Sequence, residues 1–266
     1  MLLFFRLIVR YVGRKEGRKS IMQKMLINRN ELILDKGIIT VNNNSYQRLA
    51  IKTHFVQPSE SYIELIQRYV QPVIENEDIL FISEKIISIC QNRIIHKNQV
   101  KPGFWAKNLS KFVMKTTAGY SVGNVYKMQT AIHLAGLPRI IFAAMCSALT
   151  KPFGIRGVFY RVAGHEINGI DGFYGESFPE YNEIGILNPS NPNQVCLNIF
   201  NETKINSIIV DANDIGVNIL GKNNMILEGN KEIIQMIKDN PAGQGNECTP
   251  FILFRKLKED SYEYKC

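Results

Sequence analysis

The chain has 266 residues, enough for one large domain or two small ones, and its 45% apolar and 21% charged composition is that of a folded protein. A formal charge of +8 would suit nucleic acid if it covered a face, but Arg6, Arg10, Arg14, Lys15, Arg18, Lys19 and Lys24 meet only Glu16 within the first 24 residues. The remainder sums close to neutral, which argues against the broad basic footprint that phosphate-backbone binding requires.

Residues 1–30 form a basic tail whose apolar runs 2–5 and 7–9 are cut by Arg6. They are far shorter than the ~20 apolar residues of a spanning helix. The order is not that of a secretory signal, and with Met22 and Met25 downstream a misassigned start is preferred to a surface anchor. Neither a membrane nor a nucleic acid is expected as a partner. Residues 31–266 are expected to form one domain.

Two short strands, 33–34 and 38–41, are expected around a turn at Lys36-Gly37, followed by a helix opened by Ser61 with Glu64 three residues on. Its apolar face is Ile63, Ile66, Val70, Val73 and Ile74. Residues 79–89 have strand composition, with Ser83, Glu84, Lys85 and Ser88 embedded where a buried strand would not tolerate them. Residues 124–149 turn helical, with Ile140, Ile141, Ala144, Met145, Ala148 and Leu149 at spacings of three and four. A strand over 157–163 then enters a glycine-rich loop holding Asn168, Asp171 and Glu176, and a strand over 207–210 ends at Asp211. A helix over 231–238, a polar loop over 239–249 and a strand over 250–255 close an α+β fold of mixed sheets with packed helices.

Five scattered cysteines without CxxC spacing suit a reducing, cytoplasmic compartment, and the four histidines lack the spacing of a zinc site. Acidic residues stand beside glycine or at a strand end in two places, at Asp171 and at Asp211 with Asp214. Carboxylates so placed reach a ligand together with the backbone, and hard cations such as Mg²⁺ take carboxylate oxygens while leaving positions open for phosphate. Each Asp could equally cap a turn. The loop Asn240-Pro-Ala-Gly-Gln-Gly-Asn-Glu247 could present backbone N–H groups to phosphate or simply end a helix.

Three patterns lead nowhere. The segment Gly216-Val-Asn-Ile-Leu-Gly-Lys-Asn223 nears a Walker loop but ends in Asn where Ser or Thr must reach Mg²⁺, so a turn is expected. Residues 211–222 fail as a calcium loop, with Ile215 fifth and Lys222 twelfth, and His165-Glu166 has no second His for a zincin.

In order along the chain, the segments from 51 to 256 resemble the γ-glutamyl ligase family of the deazaflavin coenzyme F-420. His54-Phe-Val-Gln-Pro-Ser-Glu60 is similar to the family's Pro-Leu-Ile-Lys-Pro-Gly-Asp segment, and Asp78-Ile-Leu-Phe-Ile-Ser-Glu-Lys-Ile-Ile-Ser88 to its strand ending Lys-Val-Val-Ser. Asn168-Gly-Ile-Asp171 resembles the Ala-Gly-Ile-Asp metal motif, and Leu187-Asn-Pro-Ser-Asn-Pro192 a Leu-Leu-Pro-x-Asp-Pro turn. Ile208-Ile-Val-Asp211 looks like the second metal-bearing strand, and Gly243-Gln-Gly-Asn-Glu247 followed by Pro250 parallels Gly-Gln-Gly-Asp-Glu followed by Pro.

The resemblance implies a γ-glutamyl ligase-like fold and a homodimer. It also implies an NTP- and metal-dependent ligase, with GTP or ATP as co-substrate, that activates an acceptor carboxylate as an acyl phosphate for attack by glutamate. Asp171 and Asp211 would be the catalytic metal ligands for Mg²⁺ or Mn²⁺, with Asp214 and Gln244 as further ligands. Gly243, Gln244, Gly245, Asn246 and Glu247 would line the nucleotide, joined by His54, Ser83, Glu84 and Lys85. A folate acceptor, or a nucleotide- or metabolite-binding module without turnover, are the alternatives. The chain departs from the family pattern at Ala212, Tyr174 and Ile89, where the family has Thr, Asn and Lys.

Overall fold

A computed structural model of the chain describes residues 32–112, 123–155, 157–173, 182–213, 216–243 and 247–257. Six strands make the main sheet: β1 (Ile33–Val41), β2 (Asn44–Ile51), β3 (Ile79–Ser83), β7 (Asn206–Asn213), β8 (Gly216–Lys222) and β9 (Phe251–Lys256), in the order β1-β2-β9-β3-β7-β8. Only β3 and β7 run parallel; the other neighbours are antiparallel. A small antiparallel sheet holds β4 (Ile94–His96), β6 (Ile184–Ile186) and β5 (Asp171–Gly172), in that order.

Side chains alternate across a strand, so a sheet covered on both faces needs apolar residues at every position. Strands β3 and β9 meet that requirement. Leu80, Ile82, Phe251 and Leu253 enter a core shared with α1 (Tyr62–Leu65, continued as a wide turn Ile66–Val70), α2 (Glu84–Cys90) and α8 (Pro192–Thr203). Ile79, Phe81, Ile252 and Phe254 enter the opposite core, beneath α9 (Asn230–Ile237). Burial of each such side chain contributes about 1.5–3 kcal/mol. A third core lies among α3 (Phe104–Phe112), α4 (Val125–Ala135), α5 (Leu137–Thr150), α6 (Val158–Ala163) and α7 (His165–Asn168).

The α+β class stands, and several elements differ in detail from the sequence expectation. The two expected short strands are one, β1, whose register shifts between Asp35 and Ile38. Residues 79–89 are not one strand: β3 stops at Ser83 and α2 begins at Glu84, so the polar residues that fit no buried strand belong to a strand-to-helix junction. The expected strand over 157–163 is the helix α6; its β-branched and aromatic residues pack into a helical core, and packing overrides propensity. The expected turn at 216–223 is the strand β8. The helix opened by Ser61 forms as expected, Ser61 Oγ accepting from the Glu64 backbone N–H at 3.3 Å.

Asp78, 4% exposed, receives a two-pronged bond from Arg255, with Nε donating to Oδ1 at 3.1 Å and Nη2 to Oδ2 at 2.9 Å. It ties the start of β3 to the end of β9. Cys90, Cys146, Cys196 and Cys248 are free thiols. Among the described residues no single helix is long and apolar enough to cross a membrane. The basic tail, Tyr174 and Glu176, Asp214, and Gln244, Gly245 and Asn246 lie outside the described residues.

Candidate functional site

The site grows from the one parallel strand pair. Ser83 lies opposite Val210, so Glu84, just past the end of β3, stands beside Asp211; the strand expected to end at Asp211 runs on to Asn213, so this carboxylate lies within β7, paired with Asn218. Asp171 arrives from the small sheet, where it pairs with Ile186. The Lys85 ammonium is ion-paired to Asp171 Oδ2, while Lys127 Nζ approaches Asp171 Oδ1 at 3.5 Å and the Gly172 N–H donates to the same oxygen at 3.0 Å. Asn218 Nδ2 reaches Asp211 Oδ2 from β8 at 3.4 Å.

Three carboxyl groups and two ammonium groups thus share one corner, and they set one another's protonation. Burial, followed by the charge of Asp211 and then of Asp171, pushes Glu84 up to about 8 against the partial relief of Lys85. Burial also pulls Asp171 upward, yet Lys85 and then Lys127 outweigh it and hold that carboxyl below the ordinary range. Lys127, with a side chain only 3% exposed, is lowered by burial in spite of Asp171. For Lys85 desolvation acts downward, but Asp171, Glu84 and Asp211 together raise it.

The donor types at this corner are those that hard divalent cations take. Glu84, Asp171 and Asp211 offer carboxylate oxygens, and Lys85 shows that the corner attracts positive charge. Among the described residues no three His, Cys, Asp or Glu side chains are already gathered as a metal cluster. The oxygens of Asp171 are engaged by Lys85 and Lys127, so a cation there would have to compete with ammonium groups.

The glycine-rich loop meets the same edge. Strand β9 runs antiparallel to β3, so the residue before it abuts the end of β3, and the Ser83 N–H donates to the Pro250 carbonyl at 2.9 Å. The Glu247 carboxylate lies over Gly243, where a Cβ would stand 2.7 Å from Oε1, and Gly243 has φ +79°. Thr53 N–H donates to the Cys248 carbonyl at 2.9 Å, bringing the segment after β2 to the loop. The neighbouring His54 is turned to its own partners, with Nδ1 2.7 Å from the Tyr69 hydroxyl and Nε2 2.9 Å from Glu60 Oε2.

Of the residues expected from sequence, Asp171, Asp211, Glu84 and Lys85 come together, and Ser83, Gly243 and Glu247 border them through Pro250. Lys127 was missed. Its signal was a lysine on the buried stripe of a helix, four residues before Ala131 and beside Met128, both fully buried.

Gly172 fixes how closely β5 and β6 can approach. Its φ is +83°, and a methyl there would run into the Ile184 carbonyl oxygen. Gly172→Ala is expected to cost about 2–4 kcal/mol of stability, from left-handed strain plus an unrelieved backbone clash. Denaturant unfolding measures it, and Gly216→Ala, with open space at its Cβ position, is the control.

A comparison with curated proteins returned no match. A family model described as F420-0:Gamma-glutamyl ligase matches residues 50–199. The matched segment, more than half of the chain, runs from the end of β2 into α8 and contains Glu84, Lys85, Lys127 and Asp171, while Asp211 and the glycine-rich loop lie beyond it. By this match the chain belongs to the F420-0:gamma-glutamyl ligase family.

Proposed function

We propose that the protein is an NTP- and divalent-metal-dependent ligase that joins glutamate to a small-molecule carboxylate through an acyl phosphate. The observation that carries this reading is the convergence of Glu84, Asp171 and Asp211 where β3 ends beside β7, next to the loop that ends at Glu247. An acceptor carboxylate oxygen attacks the γ-phosphorus of the nucleotide and the nucleoside diphosphate leaves. The glutamate amine then attacks the acyl carbon, inorganic phosphate leaves and the amine gives up a proton.

Asp171 and Asp211, with Glu84 once deprotonated, would hold Mg²⁺ or Mn²⁺, which when bound neutralises charge building on the transferred phosphoryl group. Lys85 is half exposed and, once released from Asp171, supplies a point charge to a phosphate oxygen. Gly243 and Glu247 flank the nucleotide, with Gln244, Gly245 and Asn246 between them. His54 has a lesser part, because its ring nitrogens are engaged by Tyr69 and Glu60. GTP is the first nucleotide to try, ATP the second, and the cytoplasm and a homodimer are the expected setting and assembly.

The test is phosphate release from GTP or ATP with Mg²⁺ or Mn²⁺, glutamate and a panel of acceptors including the deazaflavin coenzyme precursor and folates. Acceptor-dependent release that disappears in Asp211→Ala is expected, and the acceptor that works names the substrate. A second reading, a binding module without turnover, is favoured by Ala212 standing where the family has Thr. It predicts nucleotide binding with no phosphate release on any acceptor.

A further inference from the structure

Summed over residues 25–266 the charge is close to neutral, but it is not evenly spread. From Lys85 to His165 the sequence contains twelve Lys and Arg and no Asp or Glu, so the acidic excess falls in 25–84 and 166–266. The stretch without acids includes α3 to α6, four of the five helices of the third core; the fifth, α7, carries Glu166. Within it α5 is anomalous. Its fourteen residues carry a single charge, Arg139, yet only Ile140 and Ala143 are buried. An apolar helix of this kind is ordinarily enclosed. Here Phe142 is 59% exposed, Met145 57% and Leu149 70%, one stripe at helical spacing, and the turn that follows adds Phe153 at 80% and Ile155 at 48%. Exposed Arg139 and Lys151 stand at the two ends of the stripe.

We propose that this face of α5, with the turn after it, docks on an anionic lipid surface. The apolar stripe would enter the boundary between headgroups and acyl chains, and the basic residues would remain among acidic headgroups. Charge selects this occupant over two others. A second copy packed about a two-fold axis sets each patch against itself, and the charges that flank the stripe, Arg139 and Lys151, are of one sign. The chain's own tail repeats the same sign, with seven basic residues against Glu16 in its first 24. A nucleic acid would satisfy the charge but leave the aliphatic stripe facing phosphate and water. The bend of 116° between α4 and α5 rules out one straight span, and α4 is turned into the third core, which leaves α5 to present the apolar face. This proposal is independent of the ligase reading.

The experiment is co-sedimentation of the full chain with phosphatidylcholine vesicles that do or do not contain phosphatidylglycerol, at low and high salt. Binding that needs the anionic lipid and weakens with salt is expected. The triple variant Phe142→Ser, Leu149→Ser, Phe153→Ser should lower partitioning at least about tenfold, since it removes three exposed anchors, and Lys151→Glu should lower it less. Unchanged thermal melting of both variants shows that the fold survives. Equal binding by the triple variant assigns adsorption to the tail and overturns the proposal. So does equal binding to neutral vesicles, retention by duplex DNA in place of vesicles, or a solution dimer that the triple variant dissociates without any vesicle binding.

Discussion

Asp171→Ala is expected to abolish metal-dependent nucleotide turnover and to lower stability by about 3–5 kcal/mol. The second effect follows from Lys127, whose side chain is 3% exposed and whose nearby carboxylate is Asp171. Removing one partner of a buried pair leaves the other charge desolvated and uncompensated, which costs far more than the pair contributes when intact. Lys85, half exposed, can turn to water and adds little. Asp171→Asn separates the two consequences, because it keeps the shape and an oxygen facing the Gly172 N–H while removing the charge. It should retain more stability than the alanine and still lose about 10²–10³ in turnover, the usual cost of deleting one electrostatic contact to a transition state. The double variant Asp171→Ala, Lys127→Met should recover stability without activity. Chemical denaturation beside phosphate-release kinetics checks all three, and an Asp171→Asn protein of full activity would overturn the assignment of this carboxylate.

Glu84→Gln should flatten the dependence of stability on pH. In the folded chain burial, then the charge of Asp211, pushes the Glu84 carboxyl up to about 8 from an ordinary 4.5. A carboxyl raised in this way binds its proton more tightly when folded, so the linked stability is fully present below pH 4.5 and is lost as pH rises to about 8. At about 1.4 kcal/mol per unit the loss amounts to at most ~5 kcal/mol, or roughly 10 °C in melting temperature for a chain of this size. Two groups that face Glu84 keep their charge across this window, Asp171 being held below the ordinary range and Lys85 raised. Melting curves from pH 5 to 9 should fall for the natural chain and stay nearly level for Glu84→Gln, which becomes the more stable of the two at pH 9. Mg²⁺ or Mn²⁺ should restore the natural chain at high pH by binding the deprotonated corner, and should do less for the Gln variant. Parallel curves for the two proteins, with and without metal, would remove Glu84 from the cation site.

Local pattern made some parts of this protein legible. The residues at Asp171, at Asp211 and at Gly243 to Glu247 stand out in the sequence as carboxylates and glycines beside apolar runs, and the structure brings Asp171 and Asp211 to one corner. The cap of α1 and the apolar stripe of α9 follow from short-range pattern, whereas α8 carried no such signal. Other parts were not legible. Residues 79–89 looked like one strand because Ile, Leu and Phe suit a strand and a buried helix alike, and only the packing of Ile86, Ile87 and Ile89 into the core with α1 and α8 decides between them. Residues 158–163 misled for the same reason.

By itself, then, the sequence determined the α+β class, the family and the uneven charge, because each is written in residue identity at short range. The tertiary structure alone decided that β3 and β7 run parallel, which sets Glu84 beside Asp211 and drives its proton affinity upward. It alone brought Lys127 to Asp171 from 44 residues away and left the apolar face of α5 uncovered. The physical reason is common to all three: a charge shifts, pairs or stays exposed according to what lies within a few ångströms of it, and those neighbours come from distant parts of the chain.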